Sequence, residues 1–127
     1  MNNNEFPFQA CLGIETVKMP KLKKAVARCF HGCANLKKID LSSLEVLPVH
    51  FFLDCFSLDT ISLPSVERIE TGAFQHCLKL NLVDLSNHTS GIVKLMNINA
   101  FDACNPNYKV KVPISLYEQY KTDSVWS

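Results

Sequence analysis

The chain has 127 residues, of which 47% are hydrophobic and 20% are charged, and its formal net charge at pH 7 is +1. This composition predicts one folded domain, residues 1–127, with a continuous buried core. The small net charge gives no general attraction to nucleic acid, and no apolar run reaches the roughly eighteen residues of a membrane span. The segment Met1–Glu5 has neither a basic nor an apolar stretch, so no signal peptide is predicted within this chain.

A phenylalanine and a cysteine recur three residues apart along the chain. The pairs begin at residues 8, 30, 52, 74 and 101, so the first four follow a step of 22 residues and the last step is 27 residues. A repeat of this length predicts a solenoid, in which each unit buries its apolar side only by stacking on its neighbours. Such an architecture favours function on an extended surface rather than in a deep pocket.

Each repeat contains one predicted short strand. Aliphatic residues stand nine and eleven positions after the phenylalanine, as Ile39 and Leu41 do, and a spacing of two returns strand side chains to one face. These strands must pair in parallel because the chain returns to the same point in every repeat. A second apolar stretch, strand-like at residues 66–69, predicts the opposite wall of the coil, and a tight helical turn is expected before the next phenylalanine.

Two repeats depart from the pattern, and the chain ends in a predicted cap. Five additional residues within 86–101 should bulge from the loop side, and Asn107 stands where an aliphatic residue is expected. No comparable cap precedes Phe8, so the first repeat is expected to have an open edge. Residues 114–127 predict a C-terminal helical cap whose large side chains can cover the last repeat: Leu116, Tyr117, Tyr120 and Trp126.

Six cysteines raise the question of disulfides or metal ligands. Five of them occupy one equivalent position of the repeat, which predicts a column of buried free thiols in the core. Cys29 stands apart, immediately before Phe30. A disulfide between stacked neighbours stays open at this point, because paired strands lie ~4.8 Å apart and a bridge can span that distance.

No catalytic or metal-binding pattern stands out. The segment 29–33 offers two cysteines and His31, but a tetrahedral zinc site needs a second ligand pair that the sequence lacks. His31 and His76 are predicted to be solvated loop residues rather than bases that activate a thiol. We therefore predict no cofactor, no metal and no enzymatic activity. Asn87 begins an Asn-His-Thr glycosylation sequon, which would matter only in a secreted eukaryotic protein.

The segments AFQHCLKLNLVDLS and CFHGCANLKKIDLS resemble the unit of the BspA-type leucine-rich repeat family, Ala-Phe-x-x-Cys-x-x-Leu-x-x-Ile-x-Leu-Pro. The resemblance covers about residues 8–127, since VKVPISLYEQYKTDSVWS is similar to the family's terminal cap. It implies an α/β fold: a right-handed leucine-rich repeat solenoid of about five repeats of 22–27 residues. One parallel β-sheet would face short helical turns or loops, and a helical cap would close the C-terminus.

The resemblance also implies a function and a location. The family occurs in bacterial and protist surface proteins and in phage structural proteins, which implies a non-catalytic recognition or adhesion module of a cell-surface or secreted protein. The alternative is a structural or assembly domain that self-associates through its open N-terminal edge as a homo-oligomer. The expected partner is a protein or a second copy of the chain, with no nucleic acid and no membrane insertion.

The exposed face of the parallel sheet is the predicted contact surface. Positions eight and ten after each phenylalanine should point outward, because positions nine and eleven point into the core. Five strands offer only ~300 Å², below the roughly 800 Å² per partner of a stable interface, so loops, neighbouring repeats or several copies must contribute. The candidate contact residues are Lys18, Lys38, Asp40, Thr60, Ser62, Leu82, Asp84 and Lys109.

Overall fold

Short parallel strands line two faces of a coil. The computed structural model describes residues 8–88 and 90–127. The first face carries five strands in this part of the chain: β1 (Thr16–Lys18), β2 (Lys38–Asp40), β4 (Thr60–Ser62), β6 (Leu82–Asp84) and β8 (Lys109–Lys111). The second face carries β3 (Val46–Leu47), β5 (Arg68–Ile69) and β7 (Lys94–Leu95).

Strand pairing follows the repeat and confirms the predicted solenoid. Strand β1 pairs with β2, β6 lies between β4 and β8, and β5 lies between β3 and β7, with every pair parallel. The structure differs from a single sheet in two ways. The first face is interrupted between β2 and β4, and the second apolar stretch also forms a sheet. It does so because its inward residues, Leu47, Ile69 and Leu95, are buried while alternate neighbours face outward.

The phenylalanines of successive repeats stack into a column along the coil. Their ring centroids lie 5.0 Å apart for Phe8 and Phe30, 6.1 Å for Phe30 and Phe52, 5.6 Å for Phe52 and Phe74, and 5.4 Å for Phe74 and Phe101. The interplanar angles of these four pairs run from 5° to 23°. Stacking of this kind adds to the apolar area that each ring buries. The repeat period therefore places like side chains directly over one another.

A column of thiols runs beside the rings. The Sγ atoms of four cysteines donate hydrogen bonds to the carbonyl oxygen of the phenylalanine one repeat earlier, at 2.9 to 3.3 Å: Cys33, Cys55, Cys77 and Cys104. All six cysteines are free. The prediction of buried thiols is confirmed for the three interior residues, whereas Cys11 and Cys104 at the two ends are half-buried.

The turns before the phenylalanines are mostly not helical. Only the last is assigned as a 3₁₀ helix within the described residues, Ile98–Phe101. The earlier turns pass through a left-handed residue two positions before the ring: Arg28, His50 and Gly72, with φ of 59°, 52° and 64°. A positive φ lies outside the right-handed helical region, so these turns are not helical at that residue. Gly72 has to be glycine because a Cβ atom there would overlap the imidazole of His50.

The C-terminal cap is hydrogen-bonded to the repeat that carries the additional residues. The hydroxyl of Tyr120 accepts a 2.8 Å hydrogen bond from the amide of Val93. The indole Nε1 of Trp126 donates a 2.7 Å hydrogen bond to the carbonyl oxygen of the same Val93. Val93 is fully buried. The predicted cap is therefore present, as a 3₁₀ turn at Ile114–Leu116 followed by α1 (Tyr117–Thr122).

The prediction that Tyr117 covers the last repeat is wrong. Tyr117 is 52% exposed, while Leu116 and Tyr120 are buried. Residues four apart share a face of a helix, so Leu116 and Tyr120 together occupy the face that covers the last repeat. Tyr117, one position on from Leu116, is rotated away from that face.

The additional residues of the fourth repeat bulge only in part. Asn87 and Ser90 are exposed, as expected of a loop, but His88 is buried and its Nδ1 lies 3.0 Å from the carbonyl oxygen of Gly91. Thr89, the third residue of the glycosylation sequon, lies outside the described residues. In the fifth repeat Asn107 is exposed, and the neighbouring Tyr108 stacks on Phe101 at 4.7 Å.

Candidate functional site

A shallow groove of about 990 Å³ lies on the first face of the coil, towards its N-terminal half. It spans parts of three successive repeats and one residue of a fourth. Its lining comes from the strands and from the turns that lead into them: Thr16–Lys18, Lys37–Asp40, Ser57, Asp59, Thr60 and Lys79. The repeat fold creates this surface because it brings residues 22 positions apart side by side.

The groove lies over the interruption between β2 and β4. These strands are neighbours, yet no strand pairing joins them in the described part of the chain, whereas β1–β2 and β4–β6 are paired. Val17 and Ile39, at the inward position of their strands, contribute the apolar floor. The flanking strand residues are exposed and polar. The result is a polar surface with an apolar base at a break in the sheet.

The structure divides the eight sequence-predicted contact residues into two groups. Four of them line the groove: Lys18, Lys38, Asp40 and Thr60. The other four lie on the continuing sheet formed by β4, β6 and β8, outside the groove lining: Ser62, Leu82, Asp84 and Lys109. Of this second group, Ser62 and Lys109 are exposed, while Leu82 and Asp84 are half-buried.

Four groove residues that lie in the turns before the strands were not among the sequence-predicted contact residues: Lys37, Ser57, Asp59 and Lys79. They occupy positions five and seven after the phenylalanine, in the turn before each strand, whereas strand alternation predicts only positions eight and ten. The signal was present in the repeat itself. Comparing positions five and seven across repeats would have revealed a second polar set entering the same face.

The groove carries an excess of positive charge, since four lysines and two aspartates line it. One lysine is already paired, because Nζ of Lys37 lies 3.0 Å from Oε1 of Glu15 at the surface. Lys18 and Asp40 stand opposite each other in the β1–β2 register, but within residues 8–88 and 90–127 they form no ion pair. Instead, Oδ1 of Asp40 accepts a 3.1 Å hydrogen bond from the amide of Ser42.

The carboxylate of Asp84, on the sheet formed by β4, β6 and β8, accepts two hydrogen bonds from Ser86. Burial alone would raise its pKa, but hydrogen bonds from the hydroxyl and amide of Ser86 and the charge of Lys111 outweigh that effect and lower it. The hydroxyl bond is 2.6 Å and the amide bond is 2.9 Å. Asp84 therefore stays ionised, and the hydrogen bonds from Ser86 fix its carboxylate. Lys111, its neighbour in the strand register, is exposed beside it.

The interior thiols and the loop histidines have different partners in the described residues. Burial raises the pKa of Cys55 and Cys77 well above that of a free thiol, so both remain protonated at neutral pH. His31 and His76 are not simply solvated, as the sequence suggested. They contact the carboxylate of Asp54 from two sides, His76 at 2.7 Å and His31 at 3.5 Å, because the repeat stacks these loop residues.

Neither a candidate metal site nor a candidate membrane-spanning helix is found over residues 8–88 and 90–127. No group of three or more histidine, cysteine, aspartate and glutamate side chains is arranged to hold a metal ion there. The helices in that part of the chain are too short and too polar to cross a lipid bilayer.

Comparisons with known proteins agree with the repeat architecture. A sequence model of the BspA-type leucine-rich repeat region matches residues 3–107 in six copies, one more than the count of Phe–Cys pairs. The chain is similar to the crystal structure of a leucine-rich cell surface protein from Faecalibacterium prausnitzii, with a TM-score of 0.75 and 26% identity. The match covers 92% of this chain but only 31% of that protein. No curated protein matches.

Proposed function

Because this chain belongs to the BspA-type leucine-rich repeat family, we propose that it acts as a non-catalytic recognition or adhesion module of a cell-surface or secreted protein. Its similarity to a leucine-rich cell surface protein supports the location. Its protonated interior thiols support a role without covalent chemistry. The contact surface in this proposal is the strand groove together with the adjoining sheet face.

The groove over the β2–β4 interruption is the observation that carries this proposal. It gathers exposed polar side chains from successive repeats, and strand pairing on either side of the interruption holds their backbones in place, which limits the entropy lost when a partner binds. A second hollow, on the β3–β5 face, is smaller at about 440 Å³ and includes an intramolecular ion pair, with Nε of Arg68 2.7 Å from Oε1 of Glu70. Charges already paired with each other contribute less to a partner.

The size of the surface sets the expected strength of binding. The strand face alone is well below the roughly 800 Å² per partner of a stable complex. Binding by one such module would be weak, and several modules on one surface would gain through effective concentration. A module of this kind therefore fits multivalent attachment better than tight binding by a single copy.

A displayed library of random peptides tests the proposal. Peptides recovered on the wild-type protein would be compared on Thr60→Trp, which fills the groove, and on Arg68→Trp, which makes the same change on the other face. We expect Thr60→Trp to abolish binding and Arg68→Trp to leave it unchanged. Peptides that bind all three proteins equally, or that are lost only with Arg68→Trp, would refute the proposed surface, as would a selection that enriches no peptide.

The alternative, a structural domain that self-associates, is favoured by the N-terminal face. The apolar residues of the first described repeat are only half-buried, including Phe8, Ile14 and Leu22. Their equivalents one repeat later are fully buried: Phe30, Leu36 and Leu44. Residue Phe6, also expected at this edge, lies outside the described residues.

Sedimentation separates the alternative from the recognition proposal. If copies associate through the N-terminal face, a dimer of the wild-type chain should dissociate with Ile14→Asp. Ile114→Asp is the matched control, since Ile114 is 95% exposed on the opposite, capped end. A wild-type monomer, or a dimer that survives Ile14→Asp, would rule the alternative out.

A further inference from the structure

An exposed apolar column runs along one edge of the groove. It occupies the position four residues after the phenylalanine in the first four repeats, where Leu12, Phe56 and Leu78 are exposed and the smaller Ala34 is half-buried. Leu12 is 58% exposed, Phe56 is 40% exposed and Leu78 is 55% exposed, although each is followed two residues later by a buried or half-buried core position. The side-chain Nδ2 of Asn35 donates a 2.7 Å hydrogen bond to the carbonyl oxygen of Leu12, which joins adjacent repeats beside this column.

The column and the groove form one continuous surface. Phe56 is followed directly by Ser57, and Leu78 is followed directly by Lys79, and both following residues line the groove. The apolar edge therefore adjoins a groove in which lysines outnumber aspartates. Apolar surface rimmed by polar groups is a common mark of a protein-binding site, and aromatic residues are enriched at the centre of such sites.

Two lysines beside the column carry the charge that a partner would meet. Lys38 and Lys79 are exposed, and neither forms an ion pair among the residues that the structure describes. Lys37, which directly precedes Lys38, is engaged with Glu15. A partner that brings carboxylates would pair with Lys38 and Lys79 without displacing an existing interaction.

Building on the proposed recognition function, we propose that the column and groove together bind an acidic segment of a partner protein that also carries apolar side chains. Its carboxylates lie near Lys38 and Lys79, and its apolar side chains pack on Phe56 and Leu78. A basic segment would be repelled by the lysines. A purely acidic segment would leave the apolar column in water and gain nothing from it. The column also enlarges the contact area beyond the strand face.

Synthetic peptides of defined composition test this inference by fluorescence anisotropy. The probe contains glutamate and leucine in equal numbers, and the two comparison peptides replace every glutamate by lysine or every leucine by serine. We expect the probe to bind at least about tenfold more tightly than either comparison peptide. Added salt should weaken this binding, because salt screens the lysines.

Matched variants locate the bound probe. Lys79→Glu and Leu78→Ser should each weaken binding about tenfold. Their controls change the same residue types on the cap: Lys121→Glu and Ile114→Ser should leave binding unchanged, since both residues are exposed far from the groove. Folding of every variant is checked by circular dichroism, and Lys38→Glu is the substitute if one of them unfolds.

The outcomes distinguish this inference from the proposed function. If library peptides are lost with Thr60→Trp but the glutamate–leucine probe does not bind, the surface is a recognition site of different chemistry and this inference is wrong. Equal binding of the probe and the lysine–leucine peptide would also overturn it. Binding of the probe that is insensitive to Lys79→Glu and Leu78→Ser would contradict the proposed placement.

Discussion

The thiol of Cys55 donates a 3.1 Å hydrogen bond to the backbone carbonyl of Phe30, in the preceding repeat. The same relationship joins Cys77 to Phe52 at 3.3 Å. A cysteine is small enough for the interior column, and its thiol gives the Phe30 carbonyl a second donor beside the amide of Cys33, which lies 3.1 Å away. The repeated Phe–Cys pair thus fixes the packing of one repeat on the next through both the ring and the thiol.

Replacing Cys55 by alanine should therefore destabilise the fold. The change removes a buried sulfur and one of the two hydrogen bonds to the Phe30 carbonyl, so we expect a loss of about 1–3 kcal/mol in the free energy of unfolding. Urea denaturation measures the loss. Cys11→Ala is the matched control, because Cys11 is half-buried at the end of the column, and it should cost less. Equal losses at the two positions would contradict the structural role of the interior thiol.

The contact between His50 and Gly72 predicts coupling between these positions. Gly72→Ala should cost more than about 1 kcal/mol, because alanine is strained at a φ of 64° and its Cβ atom overlaps the His50 ring. In a His50→Gly background the overlap disappears, and the same substitution should cost only the backbone strain. Thermal unfolding of the four proteins gives the double-mutant cycle. Additive losses would show that the ring does not occupy the space above Gly72.

Replacement of each of two cap tyrosines by phenylalanine should affect stability differently. Tyr120→Phe removes the hydroxyl that accepts from the buried amide of Val93, so it should lower the free energy of unfolding by about 1–3 kcal/mol. Tyr117→Phe removes a hydroxyl from a side chain that is 52% exposed, and it should be neutral. Chemical denaturation of both variants decides the matter. A neutral Tyr120→Phe, or a costly Tyr117→Phe, would contradict the assigned cap.

Stability should fall at alkaline pH partly through Cys29. Burial, aided by the nearby Cys33 thiol, raises the pKa of Cys29 from 9.0 to about 11. The unfolded chain therefore releases this proton at a lower pH than the folded chain does. The Cys29 thiol therefore makes its full contribution to stability below pH 9. The free energy of unfolding falls by about 2 kcal/mol as the pH rises to about 11 and this contribution is lost.

Cys29→Ala isolates this effect, since alanine occupies the equivalent position before Phe74 and Phe101. The variant should lose less stability than the wild type between pH 8 and pH 11, measured as the midpoint of urea unfolding at each pH. Lysines and tyrosines titrate in both proteins and cancel in the comparison. Parallel pH profiles would show that the Cys29 thiol is not shifted in the folded state.

Much of the fold was accessible from the sequence because identical residues at a fixed period must stack. Phe52 and Cys55 were placed in the core on this ground alone, and their columns are confirmed. The interruption between β2 and β4 was not predictable, since the strand residues on either side follow the same pattern. Tyr117 was misplaced because composition cannot tell which face of a single helical turn covers the last repeat.

The candidate site was only half predictable for a related reason. Lys38 and Thr60 follow from strand alternation, which decides the outward positions. Lys79 and Phe56 depend on how the turn before each strand folds against its neighbour, and turn conformation is not set by alternation. The left-handed residues that shape these turns, such as Asp54 and His76, are of types that give no glycine signal.

Mapping of amide chemical shifts by NMR during titration with a library-selected peptide tests the central claim most directly. Recognition through the strand groove predicts that the largest changes cluster at residues 16–18, 37–40 and 56–60, while the cap is unaffected. Changes centred instead on Val46–Leu47, Arg68–Ile69 and Lys94–Leu95 would contradict the account, because those strands form the opposite face of the coil.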